Sequence, residues 1–273
     1  MSAWTLDSIP WTKFDPSAVN AELVKVIKTA ALVERNGADY GRYLANVFSD
    51  DPQFCAVADA WAVEEEQHGL ALGRWAELAD PAFDFDAAFQ HFTEMYRIPV
   101  DATQSVRGSR TGELCARCIV ESGTSSFYSA IRDAVHEPAL KEICKNIAAD
   151  EFRHYRLFYD EMARHQSREH LSNWSRLKVV LTRFNETSDD ELASAYYAGN
   201  NIQIQYDCRN VNADYSARAM AFYQRKHVHR AGHMMAQAAG LPPNSWATRV
   251  LSQVLWWVIA FKGRKFRALL TNV

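Results

Sequence analysis

The feature that most constrains this chain is a pair of chemically active groups set three residues apart in an apolar helical stripe. Between Ala139 and Gln166, the residues Cys144, Ile147, Glu151, His154 and Phe158 recur at spacings of three and four, the repeat of one face of an α-helix. Glu151 and His154 therefore project side by side, about 5–6 Å apart at Cβ. A carboxylate and an imidazole in such a seam lose their hydration unless a partner replaces it. A metal ion is one such partner, because both groups are metal ligands. The rest of the chain must then bring further ligands to this stripe.

Three other stripes supply them. Ala58, Trp61, Glu65, His68, Leu72 and Trp75 repeat the same alternation and contain a second Glu-x-x-His. Val24, Ile27 and Ala31 lead to Glu34 and Ala38, while Leu114 and Cys118 lead to Glu121, Ser125 and Tyr128. The order is Glu, Glu-x-x-His, Glu, Glu-x-x-His, at intervals of 31, 56 and 30 residues. Glu34, Glu65, His68, Glu121, Glu151 and His154 are thus the candidate metal ligands. Six ligands from four antiparallel helices are the arrangement of carboxylate-bridged di-iron and di-manganese bundles. Within Glu64-Glu65-Glu66 only Glu65 stands three before His68, so Glu64 and Glu66 are expected to face elsewhere.

On these residues the chain resembles the ferritin-like di-metal superfamily. Glu64-Glu65-Glu66-Gln67-His68 and Asp150-Glu151-Phe152-Arg153-His154 are similar to the paired Glu-Glu-x-Arg-His and Asp-Glu-x-Arg-His motifs of the acyl-carrier-protein desaturases. The second matches at every defined position, whereas the first carries Gln67 where the desaturases have Arg. The resemblance covers residues 17–170. It implies an all-α fold, a ferritin-like antiparallel four-helix bundle, with additional helices following it. It also implies two Fe ions, with Mn or a mixed Mn/Fe pair as alternatives, bridged by Glu65 and Glu151. The implied activity is O2-dependent oxidation of a small organic substrate, carrier-bound or free, by desaturation, hydroxylation or N-oxygenation. An electron-donor protein would be a partner. The main rival is a ferroxidase or rubrerythrin-like peroxidase, disfavoured by the lack of a rubredoxin-type segment with its four cysteines and by the hundred residues beyond 170. A metal-stabilised helical interaction protein without turnover is a third reading.

Neighbours of the ligands have expected roles. Asp150 is positioned to accept the second N–H of a ligating histidine, with His68 as the partner across the helices. Trp61 is a candidate for the same network, and Arg153 for a salt bridge. Tyr128, seven residues after Glu121 on the same stripe, is a candidate catalytic group, and Tyr155 adjoins a ligand. The run Ser122-Gly123-Thr124-Ser125-Ser126 reads either as room for a substrate channel or as close helix packing. Cys115 and Cys118 form a lone Cys-x-x-Cys that reads as core. His227, His229 and His233 sit among Arg225, Lys226 and Arg230, whose charge opposes a second metal.

The chain has 273 residues, 48% hydrophobic and 23% charged, with a net charge of −3. That describes an ordinary globular protein and gives no basis for nucleic-acid binding. Five cysteines without scaffold spacing point to a reducing compartment. Met1–Thr12 lacks the character of a signal peptide. The longest apolar run, Val254–Phe261, is far below the ~18–20 residues a bilayer span needs. A cytoplasmic location with no transmembrane segment is therefore expected. The basic run Lys262–Arg267 suits docking on an acidic carrier or an anionic membrane surface, or simply a packed helix with a solvated end.

Turn and cap signals set the expected elements. Residues 1–16 form an arm carrying Trp4 and Trp11. Helices are expected over 17–48, capped by Ser17, from Asp51-Pro52 to Leu78, over 111–136, and over 138–165, with a short helix at 86–96 in the crossover. Residues 171–273 form an extension with helices near 175–185, 189–198, 213–239 and 244–270. These pack on the bundle or on a partner subunit in a homodimer.

Overall fold

The computed structural model describes residues 4–186, 190–242 and 244–270. Among them every regular element is helical and there is no strand. The arm runs through 3-10 turns at Leu6–Ser8, Trp11–Lys13 and Pro16–Ala18 before α1 (Ala21–Arg35) begins. The cap is Asn20 and not Ser17. Asn20 Oδ1 accepts from the Glu22 and Leu23 amides at 2.9 and 3.2 Å, satisfying two of the first-turn donors. Ser17 belongs to the preceding turn, where its own amide donates to Asp15 Oδ1.

The single helix expected over 17–48 is two helices. α1 stops at Asn36, whose ψ of 1° leaves the helical range, and α2 (Gly37–Val47) starts beyond it. The reason lies in the neighbour. α3 (Pro52–Ala79) passes so close that a Cβ on Gly37 would lie 2.4 Å from Glu65 Cβ. α3 itself starts as read, with Asp51 capping the Phe54 amide and Pro52 in the first turn.

After the short α4 (Phe85–Met95) in the crossover come two long partners, α5 (Arg110–Ala134) and α6 (Pro138–Glu169), packed along each other. The turn between them is fixed by Glu137. Its fully buried carboxylate accepts from the Ala139 and Leu140 amides, from Trp75 Nε1 at 2.6 Å, and from the Asp15 amide of the arm.

The apolar side chains of these helices divide into two cores. One contains Ile27, Ala31, Leu72, Trp75, Tyr128, Ile143 and Ile147. The other contains Leu44, Phe54, Trp61, Leu114, Cys118 and Phe158. α1 and α6 run from the first core toward the second, and α3 and α5 run the opposite way. On each of the four, the candidate ligands fall between the two cores, which places them at mid-height in the dry interior.

The remaining helices cover this assembly. α7 (Asn173–Glu186) lies on α5, and α8 (Asp190–Gly199) lies on α1 and α4. The helix expected over 213–239 is interrupted. It comprises α9 (Cys208–Ala219), a 3-10 turn at Met220–Phe222, and α10 (Arg225–Ala238). The bend falls where α11 (Trp246–Leu270) crosses, for a Cβ on its Gly263 would lie 2.6 Å from the Met220 backbone. Asp189 and Pro243, which the sequence sets at element boundaries, lie outside the described residues. α11 packs one side on α9, α10 and the Met220 turn, and leaves Trp246, Val250, Val254, Trp257 and Phe261 exposed on the other. Among the described residues no helix is long and apolar enough to cross a membrane.

Candidate metal centre

The six candidate ligands come together in two overlapping sets. Glu34, Glu65, His68 and Glu151 form one, and Glu65, Glu121, Glu151 and His154 form the other. Within each set the ligand atoms all lie within 4.8 Å of one another, and every residue is buried. Glu65 and Glu151 belong to both. His68 Nδ1 lies 3.3 Å from Glu151 Oε1 and 3.7 Å from Glu34 Oε2. His154 Nδ1 lies 3.0 Å from Glu65 Oε1 and 3.8 Å from Glu121 Oε2.

These inward atoms are the ones the protein does not satisfy. Glu65 Oε1, His68 Nδ1, both Glu121 oxygens, Glu151 Oε1 and His154 Nδ1 are buried with no hydrogen bond among the described residues. Buried polar atoms are paired in nearly all proteins, and a cluster of six unpaired ones aimed at one another could hold a cation. The same crowding moves protons. Burial, followed by the nearby Glu151 and Glu34 charges, pushes the Glu65 carboxyl well above its usual range. Burial with Glu151 and Glu65 does the same to Glu121. Burial opposes the charge on His68, but Asp150 at Nε2 and the carboxylates near Nδ1 outweigh that and raise it well above the usual value. Without a cation, protons hold this cluster together.

The outward nitrogens of both histidines are held in a reciprocal pattern. Asp150, which precedes Glu151 on α6, has Oδ2 3.2 Å from His68 Nε2 on α3. Glu64, which precedes Glu65 on α3, has Oε2 2.8 Å from His154 Nε2 on α6. Glu64 thus does not face elsewhere. Arg153 spans both carboxylates, with one amino group 2.7 Å from Glu64 and 2.9 Å from Asp150. Burial works against both charges, yet His154 with Arg153 holds Glu64 at about 2, and His68 with Trp4 holds Asp150 at about 2. Fixed carboxylates of this kind set the histidine tautomer and aim Nδ1 inward.

Trp4 closes this network in place of Trp61. Its ring stacks on His68 at 6.0 Å and its Nε1 donates to Asp150 Oδ2 at 2.8 Å. Gln67, at the position equivalent to Arg153, anchors the arm by donating to the Trp4 carbonyl at 3.2 Å. Trp61 instead stands edge-on to His154, with its Nε1 buried and unbonded among the described residues. Tyr128 donates to Glu34 Oε1, and Thr124 to Glu151 Oε2. Tyr155 is not at the site, since its hydroxyl donates to the Met234 carbonyl.

Sequence reasoning missed Glu64, Trp4 and Thr124. For Glu64 a signal existed, because it occupies in the first motif the place of Asp150 in the second. Of the two readings of Ser122–Ser126, the serines take close packing. Ser122, Ser125 and Ser126 are buried and bond to carbonyls, Ser126 to that of His227 on α10. His227 caps α10 and pairs with Asp133 at 3.0 Å, and with His229 and His233 it forms no ligand set among the described residues. Cys115 and Cys118 are buried core. The chain matches no protein-family model and no curated protein.

Proposed function

We propose that the chain is a ferritin-like dinuclear metal protein and an O2-dependent oxidoreductase, with iron as the leading metal and manganese as the alternative. One observation carries the reading: two four-ligand sets share Glu65 and Glu151 at the centre of four helices. Four glutamates balance the four positive charges of two divalent ions, and mixed carboxylate and imidazole donors suit iron or manganese. Bound iron would supply electrons to O2 and oxidising power toward a substrate bond.

The chain's own residues prepare that chemistry. Asp150 and Glu64 hold the outward Nε2 of the two histidines and aim Nδ1 inward. Tyr128 and Thr124 each occupy one oxygen of Glu34 and Glu151, leaving the other turned inward. The two apolar cores keep bulk water from the cluster, which strengthens every charge interaction within it. Oxidation of an organic molecule is the first form of this reading. The buried, bonded serines 122, 125 and 126 leave less room beside the cluster and favour a second, in which ferrous ion or peroxide is the substrate.

Anaerobic loading with Fe(II) followed by O2 tests the proposal. About two metals per chain and an absorbance change on exposure to O2 are expected. One metal or fewer at saturation overturns the dinuclear reading, and a filled site silent to O2 overturns the oxidoreductase.

A further inference from the structure

One turn of α5 before Glu121 lies Arg117, a buried guanidinium packed against aromatic rings. Its side chain is 6% exposed. Among the described residues it makes no hydrogen bond or ion pair, and its Nε is sealed from solvent without an acceptor. Glu113, Glu121 and Glu191 lie close enough to act on its charge, and none forms an ion pair with it among the described residues. Glu113, one turn earlier, accepts from Tyr43 at 2.8 Å and Ser105 at 2.7 Å, and Glu121 faces the ligand sets. What does touch Arg117 is aromatic. Its guanidinium lies 4.6 Å from the Tyr40 ring centre and 5.9 Å from that of Trp61. The Tyr40 hydroxyl is committed to Glu191 at 2.9 Å. Trp61 Nε1 is a second buried donor without an acceptor.

Arg117 Nε and Trp61 Nε1 are thus two neighbouring buried donors without an acceptor among the described residues. A guanidinium remains charged at any ordinary pH and presents a planar fork of N–H groups, so the acceptor that completes it is anionic and planar. A carboxylate fits that description best. Tyr40 and Trp61 hold the guanidinium against their ring faces and make its surroundings apolar. Trp61 in turn stands 6.5 Å from the His154 ring, so a molecule anchored here extends along α5 toward the second ligand set, about one helical pitch, or 5.4 Å, away.

We propose that Arg117, with Trp61 and Tyr40, is the anchoring subsite for the carboxylate of a small organic substrate with an apolar or aromatic body. This rests on reading the six-residue cluster as the metal centre. It also supplies a substrate seat on a different part of α5 from the buried serines.

The test is calorimetric binding to the metal-loaded protein, with benzoate and octanoate each set against its amide. At least one carboxylate is expected to bind about tenfold or more tighter than its amide, as hydrogen bonds to a charged group require. Arg117→Gln should remove that preference while two metals remain bound, and Arg117→Lys should retain part of it. Carboxylate and amide binding alike in the wild-type chain overturns the subsite without any appeal to a variant. So does an unchanged preference in Arg117→Gln, which would make Arg117 a distant counter-charge to Glu113 and Glu121. A chain that holds two metals but prefers no carboxylate overturns the subsite alone. A chain that prefers a carboxylate but never holds two metals overturns the metal reading alone.

Discussion

Helices α3 and α11 are close in length, 28 and 25 residues, and both are rich in tryptophan, yet they place their side chains in opposite ways. In α3, Trp75 is 0% exposed, and so is the histidine at position 68. In α11, Trp246 and Trp257 are 78% and 66% exposed, and Arg249, Lys262, Arg264 and Lys265 lie in solvent. α3 runs among three other long helices and is enclosed on its ligand-bearing face. α11 has neighbours on one side only. The difference teaches what licenses a buried charge. The charged and imidazole groups inside α3, Glu65 and His68, enter the interior because they meet other groups or aim at a place where a cation can meet them. Along α11 the described charges, Arg249, Lys262, Arg264 and Lys265, stay outside.

The strongest way to break this comparison is to remove a shared ligand. Glu151→Ala or Glu65→Ala should reduce the metal count from two toward zero, because each belongs to both sets. Glu34→Ala or Glu121→Ala should remove one metal. Metal analysis decides it, and equal losses in all four variants would refute the sharing. Stripping both metals should cost on the order of 4 kcal/mol per site at a thousandfold excess over Kd. Hydrogen exchange should show that loss in α1, α3, α5 and α6, with α11 little changed.

Next in size is Trp75→Ala. It empties a fully buried site and removes the Nε1 donor to Glu137 Oε2, the bond that ties α3 to the start of α6. A loss of about 3–5 kcal/mol in chemical denaturation is expected. Then come the outer carboxylates. Asp150→Ala and Glu64→Ala should each weaken metal binding about 10–100-fold, Asp150 at the His68 set and Glu64 at the His154 set. Arg153→Ala should touch both sets, and more weakly.

Proton linkage gives the comparison a sign. In the metal-free protein Glu65, Glu121 and His68 all bind protons more tightly folded than unfolded. Their contribution is therefore full at low pH and lost as pH rises through their elevated values. Glu64 and Asp150, held at about 2, act oppositely. Their contribution is present above the ordinary carboxylate value of about 4 and fades as pH falls toward 2. A metal displaces the first set of protons, so its affinity should rise with pH. Titration at several pH values checks this, and a flat profile would show that the ligands are already ionised.

Much of the site was legible because helical periodicity reports which residues share a face. Four stripes, each with a carboxylate in phase, identify the six residues before any packing is known. What periodicity cannot report is which residues of different helices end up opposite one another. Glu64 lies off the α3 seam, yet the crossing of α3 and α6 brings it to His154. Trp4 stands in an arm without periodicity and reaches His68 only because Glu137 and Gln67 hold the arm down. The breaks at Asn36 and Met220 were hidden for the same reason. Each falls where another helix passes at glycine distance, Gly37 against Glu65 and Gly263 against Met220.

The smallest expected effect comes from the exposed face of α11. Trp257→Glu replaces a residue that is two-thirds exposed, on the same face as Val254 and Phe261. The packed side of the helix, with Ile259, Gly263 and Phe266 buried, is untouched. A surface substitution of this kind normally falls within about ±0.5 kcal/mol, against the several kcal/mol expected of Trp75→Ala. The new acid also sits within a few turns of Lys262, Arg264 and Lys265, so charge does not oppose it. The measurement is the denaturation midpoint of wild type and variant at two protein concentrations. A small, concentration-independent shift upholds the contrast between the helices. A loss of more than about 1 kcal/mol that grows with concentration would mean that wild-type chains cover this face with one another, and α11 would then be as enclosed as α3.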